Sequence, residues 1–112
     1  MELRIGIVED EKQIREGMTL LINGSDGFSC EHAFDTAEEA LKHLPQLDLH
    51  VVLIDIHLPG KSGIEFVEQL KVLCPTVQFV MFTSLEDTDS VFKALKAGAT
   101  GYLTKQLLRL KF

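Results

Sequence analysis

The sequence predicts an α/β domain in which five parallel strands alternate with helices that cover both faces of one sheet. Three observations predict it. Short apolar runs of strand length alternate with segments of helical period along the chain. The central run, His50-Val51-Val52-Leu53-Ile54, is β-branched without polar alternation, as in a strand covered on both faces. Turn residues punctuate the segments, and parallel strands so spaced need right-handed crossovers. The chain has 112 residues, 46% of them hydrophobic, which fits one domain with a real core.

The elements follow in order. Leu3 to Val8 is an apolar run ended by Glu9-Asp10-Glu11, and predicts a buried first strand. Lys12 to Asn23 carries Ile14, Met18, Leu21 and Ile22 near helical spacing, and Asn23-Gly24-Ser25-Asp26-Gly27 is a turn cluster. Phe28 to Phe34 alternates, which predicts a half-exposed strand near a sheet edge. Thr36-Ala37-Glu38-Glu39 is a capping box, with Thr36 as cap and Glu39 reaching back, so a helix runs through Ala40, Leu41 and Leu44 and stops near Pro45. After the central strand, Gly63 to Leu73 predicts a helix with Ile64, Val67 and Leu70 inward, ended by Pro75. Val77 to Phe82 is the fourth strand. Asp87 to Ala97 is a helix with Gly98 as a left-handed cap, Gly101 to Thr104 is the last strand, and Gln106 to Phe112 starts a final helix. There is no internal repeat or linker.

Composition excludes several functions. The formal net charge is -6, which argues against this domain gripping nucleic acid. No apolar run approaches the ~20 residues of a membrane span, and the start has no signal-peptide layout, so a cytoplasmic protein is expected. Cys30 and Cys74 are far apart and read as two free thiols, with no metal-ligand spacing. His32, His43 and His50 are scattered. Lys93 and Lys96 form a solvated helix face, which also suits a docking partner.

In an open α/β sheet, ligands bind outside the carboxyl ends of the strands. Glu9 and Asp10 follow strand one, Asp55 follows strand three, Thr83 and Ser84 follow strand four, and Lys105 follows strand five. Three carboxylates brought together repel one another unless a cation is present. A hard divalent ion such as Mg²⁺ relieves that repulsion. A hydroxyl and an ammonium beside it suit phosphoryl oxygens. These parts fit phosphoryl transfer, where positioning and charge neutralisation do most of the work.

The stretch DIHLPGKSG, residues 55–63, also contains the GKS of a nucleotide-binding P-loop. That motif is G-x-x-x-x-G-K-[ST], and its first Gly falls on Asp55 here. A negative side chain would stand where bare backbone must approach phosphates. Pro59 removes a further N–H from the cradle. The P-loop reading is therefore set aside.

Four pieces together resemble the receiver domain of response regulators, the phospho-accepting module of two-component signalling. They are Ile7-Val8-Glu9-Asp10-Glu11, Asp55 to Gly63, Met81-Phe82-Thr83-Ser84 and Lys96 to Lys105. Each is weak alone, but four in order on the right strand ends are specific. Ala-Gly-Ala-x-Gly-Tyr-Leu-x-Lys also resembles the LuxR/NarL-type subgroup, whose receiver precedes a helix-turn-helix output domain. The resemblance implies a doubly wound, flavodoxin-like (βα)5 fold with strand order 2-1-3-4-5. It implies that Asp55 is the phosphoacceptor, supplied by a sensor histidine kinase, a phosphotransfer protein or a small acyl phosphate.

The resemblance also assigns the remaining roles. Asp10, Asp55 and the His57 backbone carbonyl would hold Mg²⁺, with Glu9 acting through water and the His57 side chain facing solvent. Thr83 and Lys105 would contact the phosphoryl group, Tyr102 would turn inward as the switch, and small Ser84 would leave the site open. Gly60-Lys61-Ser62 would be loop surface. The domain, residues 1–112, would signal and not turn over a substrate. It would reach DNA only through an output domain absent from the chain, and homodimerisation is a further expectation.

Two departures stand out. The last helix is about two turns, near the limit of what stands unpacked. Either the chain stops inside that helix or the helix packs on another copy. Gln106 stands where many relatives have Pro. The competing readings are a phosphorylation-independent module that binds partners through helix four and strand five, and a phosphate-ester hydrolase. Hydrolases that form an aspartyl phosphate commonly want a second Asp two residues on, and His57 is there.

Overall fold

The computed structural model describes residues 2–58, 62–83, 93 and 95–104, the side chains of Thr83 and Thr104 excepted. The elements are β1 (Leu3–Val8), α1 (Lys12–Asn23), β2 (Phe28–Phe34), α2 (Ala37–His43), a short 3-10 turn (Leu44–Gln46), β3 (Val51–Asp55), α3 (Gly63–Leu73), β4 (Gln78–Thr83) and β5 (Gly101–Thr104). All strand pairs are parallel and the order is β2-β1-β3-β4-β5. The predicted order is thus observed. Lys93 and residues 95–97 are helical, and Gly98 follows them with φ +119°, the left-handed cap the sequence indicates. The rest of the fourth predicted helix and the final one, Gln106 to Phe112, lie outside the described residues.

Successive strand residues point to opposite faces, so β1 and β4 feed two cores. Val8 and Met81 join β3 residues Val52 and Ile54 under α2 and α3, where Phe66, Val67 and Leu70 are fully buried. Ile7 and Phe82 face the other way and pack with Met18 of α1 and Cys30 of β2. Helices therefore cover both faces. Cys30 and Cys74 are buried free thiols, and burial pushes both above their ordinary value. Among the described residues, no helix is long and apolar enough to cross a membrane.

Local differences from the predicted elements have physical reasons. Thr36 caps α2 by accepting the Glu39 N–H at 3.1 Å, but the return half of the capping box is replaced. The Glu39 carboxylate turns to Lys42 (3.7 Å) and His43 (3.3 Å), one turn along its own exposed face. Pro45 sits inside the 3-10 turn after α2. β3 begins at Val51, one residue later than predicted; at His50 the Arg4 N–H is taken by the imidazole, whose Nδ1 accepts it at 2.9 Å. Phe66 takes the central place in α3, and Ile64 is only partly buried. Asp55 and Thr83 close their strands from within.

Candidate functional site

β1 sits at the topological switch point: its crossover to β2 leaves in one direction, and β3 lies on its other side. The crevice at the carboxyl ends of such strands is where an open α/β sheet binds ligands. The register fixes who meets there. Val8 pairs with Ile54, so the next residues, Glu9 just past β1 and Asp55 at the end of β3, stand side by side. One carboxylate oxygen each from Glu9, Asp10 and Asp55 lies within 4.8 Å of the others. Glu9 is fully buried and Asp55 is 3% exposed, whereas Asp10 is exposed at the mouth.

The surrounding main chain holds this arrangement. Asp55 Oδ1 accepts the His57 N–H at 3.0 Å, which orients the carboxylate. The following Ile56 N–H donates to Phe82 O at 3.1 Å, and the Gly63 N–H donates to Ile56 O at 3.0 Å. Ser62 caps α3 by accepting the Ile64 N–H. Gly63, the first residue of α3, lies so close to Asp55 that a Cβ there would overlap the Asp55 carbonyl oxygen. On the β1 side, the Glu9 N–H donates to Phe34 O at 2.9 Å. Arg15 Nη1 donates to the carbonyls of Glu9 (2.9 Å) and Asp10 (3.3 Å).

Two buried carboxylates and one exposed one, converging without regular intervening structure, are a hard-oxygen donor set. Their mutual repulsion would be relieved by a divalent cation such as Mg²⁺, an ion that takes carboxylate oxygens and keeps several waters. The donor set therefore fits that ion.

The other predicted residues are placed as follows. The His57 side chain is exposed, as expected. Thr83 ends β4 and pairs with Thr104 of β5. Tyr102, on β5, is 45% exposed, so its ring lies outward. Lys93 and Lys96 are exposed. Lys105, Ser84, Pro59, Gly60 and Lys61 lie outside the described residues. Sequence reasoning passed over Arg15. The available signal was that Glu11, at the start of α1, is a weak cap residue, so another group must hold that loop.

Comparison with known proteins agrees with this geometry. GacA, a response regulator of Pseudomonas viridiflava, is 34% identical over 103 residues, covering 92% of this chain and 48% of that protein. A protein-glutamate methylesterase/protein-glutamine glutaminase of Burkholderia thailandensis is 32% identical over 107 residues, 95% of this chain and 30% of that protein. The chain thus spans half or less of these curated relatives. A crystal structure of a LuxR-family two-component response regulator from Aurantimonas sp. SI85-9A1 superposes with a TM-score of 0.88 at 30% identity. It covers 94% of this chain and 75% of that one. The family model described as the response regulator receiver domain matches residues 5–111, and the chain belongs to that family.

Proposed function

We propose that Asp55 is the phosphoacceptor of this receiver domain. It takes a phosphoryl group from the phosphohistidine of a sensor kinase or phosphotransfer protein, or from a small acyl phosphate. The observation that carries the reading is the convergence of Asp55 with Glu9 and Asp10 at the carboxyl edge of the sheet. An Asp55 carboxylate oxygen attacks phosphorus, the new O–P bond forms as the donor's P–N or P–O bond breaks, and the donor group leaves with the electron pair. The His57 N–H fixes the carboxylate's orientation for that attack. Near-burial of Asp55 keeps bulk water from competing.

Asp10, Asp55 and the His57 carbonyl would hold Mg²⁺, with Glu9 reaching it through an intervening water. The bound ion supplies positive charge against the carboxylates and phosphoryl oxygens. Lys105 would pair with a phosphoryl oxygen and Thr83 would donate a hydrogen bond to another. Tyr102, outward here, would then turn inward and shift the population toward an active packing of β4 and β5. Phosphorylation replaces the single carboxylate charge of Asp55 with a group of about -1.5 to -2 that carries three acceptor oxygens, and that change favours such a shift. A signalling role is in line with the response regulators among the relatives, and the output proposed for it is transcriptional. DNA contact would come from a following output domain, and dimerisation of the receiver would couple the two.

The test is intact mass after incubation with acetyl phosphate and Mg²⁺. The expected result is one added phosphoryl group, labile to hydroxylamine and absent in Asp55→Asn. No gain under conditions that modify a control receiver would sink the reading and favour a phosphorylation-independent interaction module. Steady phosphate release from unrelated monoesters would favour a hydrolase.

A further inference from the structure

We infer that Arg15 is a positioning residue for the acidic site, fixing the loop between β1 and α1 so that Glu9 and Asp10 converge on Asp55. The inference rests on the reading of that cluster as the Mg²⁺ site and adds a residue that acts through it.

Arg15 supplies side-chain bonds at a point of this loop where no cap does. Glu11 occupies the cap position of α1 but makes no side-chain capping bond, and the first turn of α1 has no acidic residue. Among the described residues, main-chain bonds secure its two ends, Glu9 N–H to Phe34 O and Arg15 N–H to Glu11 O, each 2.9 Å. Between them lie the carbonyls of Glu9 and Asp10, and both accept from Arg15 Nη1, at 2.9 and 3.3 Å. Gathering two successive carbonyls onto one nitrogen fixes both peptide planes. Peptide-plane orientation in turn sets where the Cβ atoms of Glu9 and Asp10 point. The clamp is itself anchored. Arg15 stands in α1, and its own carbonyl accepts from Thr19 Oγ1 at 2.8 Å.

Two effects on cation affinity have opposite signs. A guanidinium near the site repels a divalent cation, so removing it should tighten binding. Loss of the clamp frees the two carboxylates, so removing it should weaken binding. Arg15 is partly exposed, and its bond to the Asp10 carbonyl is exposed, so salt screens the guanidinium and keeps the repulsion small. Groups that orient metal ligands typically contribute 10–100-fold to metal affinity. The clamp therefore dominates.

The test is calorimetric Mg²⁺ titration of the wild type, Arg15→Met and Arg15→Gln, with a urea curve on each to show that it is folded. Arg15→Met should bind Mg²⁺ about tenfold more weakly, and Arg15→Gln, a neutral donor, should recover part of that loss. In acetyl phosphate labelling, the Mg²⁺ needed for half-maximal rate should rise about tenfold in Arg15→Met, while the rate at saturating Mg²⁺ stays within about twofold. Met binding as tightly as wild type or tighter, or Gln behaving like Met, overturns the clamp alone. A folded wild type that binds no Mg²⁺ overturns the site reading, and the clamp with it.

Discussion

Gly63→Ala sets two physical effects against each other at the site. Gly63 is the first residue of α3 and donates its N–H to Ile56 O. On helix propensity alone, Ala should stabilise by up to about 1 kcal/mol. Sterically, the new methyl would overlap the Asp55 carbonyl oxygen, lie 3.1 Å from the Asp55 carbonyl carbon and 3.0 Å from Met81 Cε. Met81 can yield, being the end of a flexible side chain. The Asp55 carbonyl cannot, because it is main chain on a strand paired through Asp55 to Phe82. Overpacking of this kind costs about 1–3 kcal/mol, so the net destabilisation should be about 1–2 kcal/mol. A urea midpoint lowered by about 1 M, with unchanged slope, is the expected readout. The same shift of α3 against β3 moves Asp55, so calorimetry should show weaker Mg²⁺ binding. A variant as stable as wild type, or more stable, would refute the close approach, because propensity would then be the only effect present.

Other substitutions probe the frame around the site. His50→Leu should cost about 1–3 kcal/mol in urea unfolding, since the Arg4 N–H loses its Nδ1 acceptor, and His50→Asn, which keeps an acceptor, should lose much less. Gly98→Ala should cost about 1–2 kcal/mol, because φ is +119° and a Cβ would crowd Lys71 Cγ at 3.1 Å; an unchanged thermal midpoint would contradict it. Burial raises the Cys30 thiol above its ordinary value of 9.0, with the Thr19 hydrogen bond opposing it. The folded state therefore favours the protonated thiol, and that contribution is intact below pH 9.0 and lost as pH rises through the folded value. Urea midpoints should accordingly fall in the alkaline range for wild type and fall less steeply for Cys30→Ala.

Much of the fold was legible because secondary structure follows local patterning. The apolar runs of β1 and β3, the alternation of β2 and the helical spacing of α1 are visible without tertiary knowledge. The Thr36 cap and the Gly98 turn were legible for the same reason, since each acts within a few residues of itself. Where local reasoning failed, long-range partners decided. Glu39 chose Lys42 and His43 over the helix start, and the His50 side chain took the Arg4 N–H across the sheet.

The site divides the same way. Residue order alone shows which chemical groups stand at strand ends: Glu9 and Asp10 after β1, and Asp55 at the end of β3. The missing glycine at position 55 also excluded a P-loop. Long-range packing adds that these carboxylates meet within 4.8 Å, that Glu9 is fully buried, and that Arg15 bonds the Glu9 carbonyl while Gly63 packs against Asp55. The physical reason is register. Periodicity reports which face a residue takes, but the pairing of Val8 with Ile54 is set by how two separate strands share one core, and that pairing is what brings residue 9 beside residue 55.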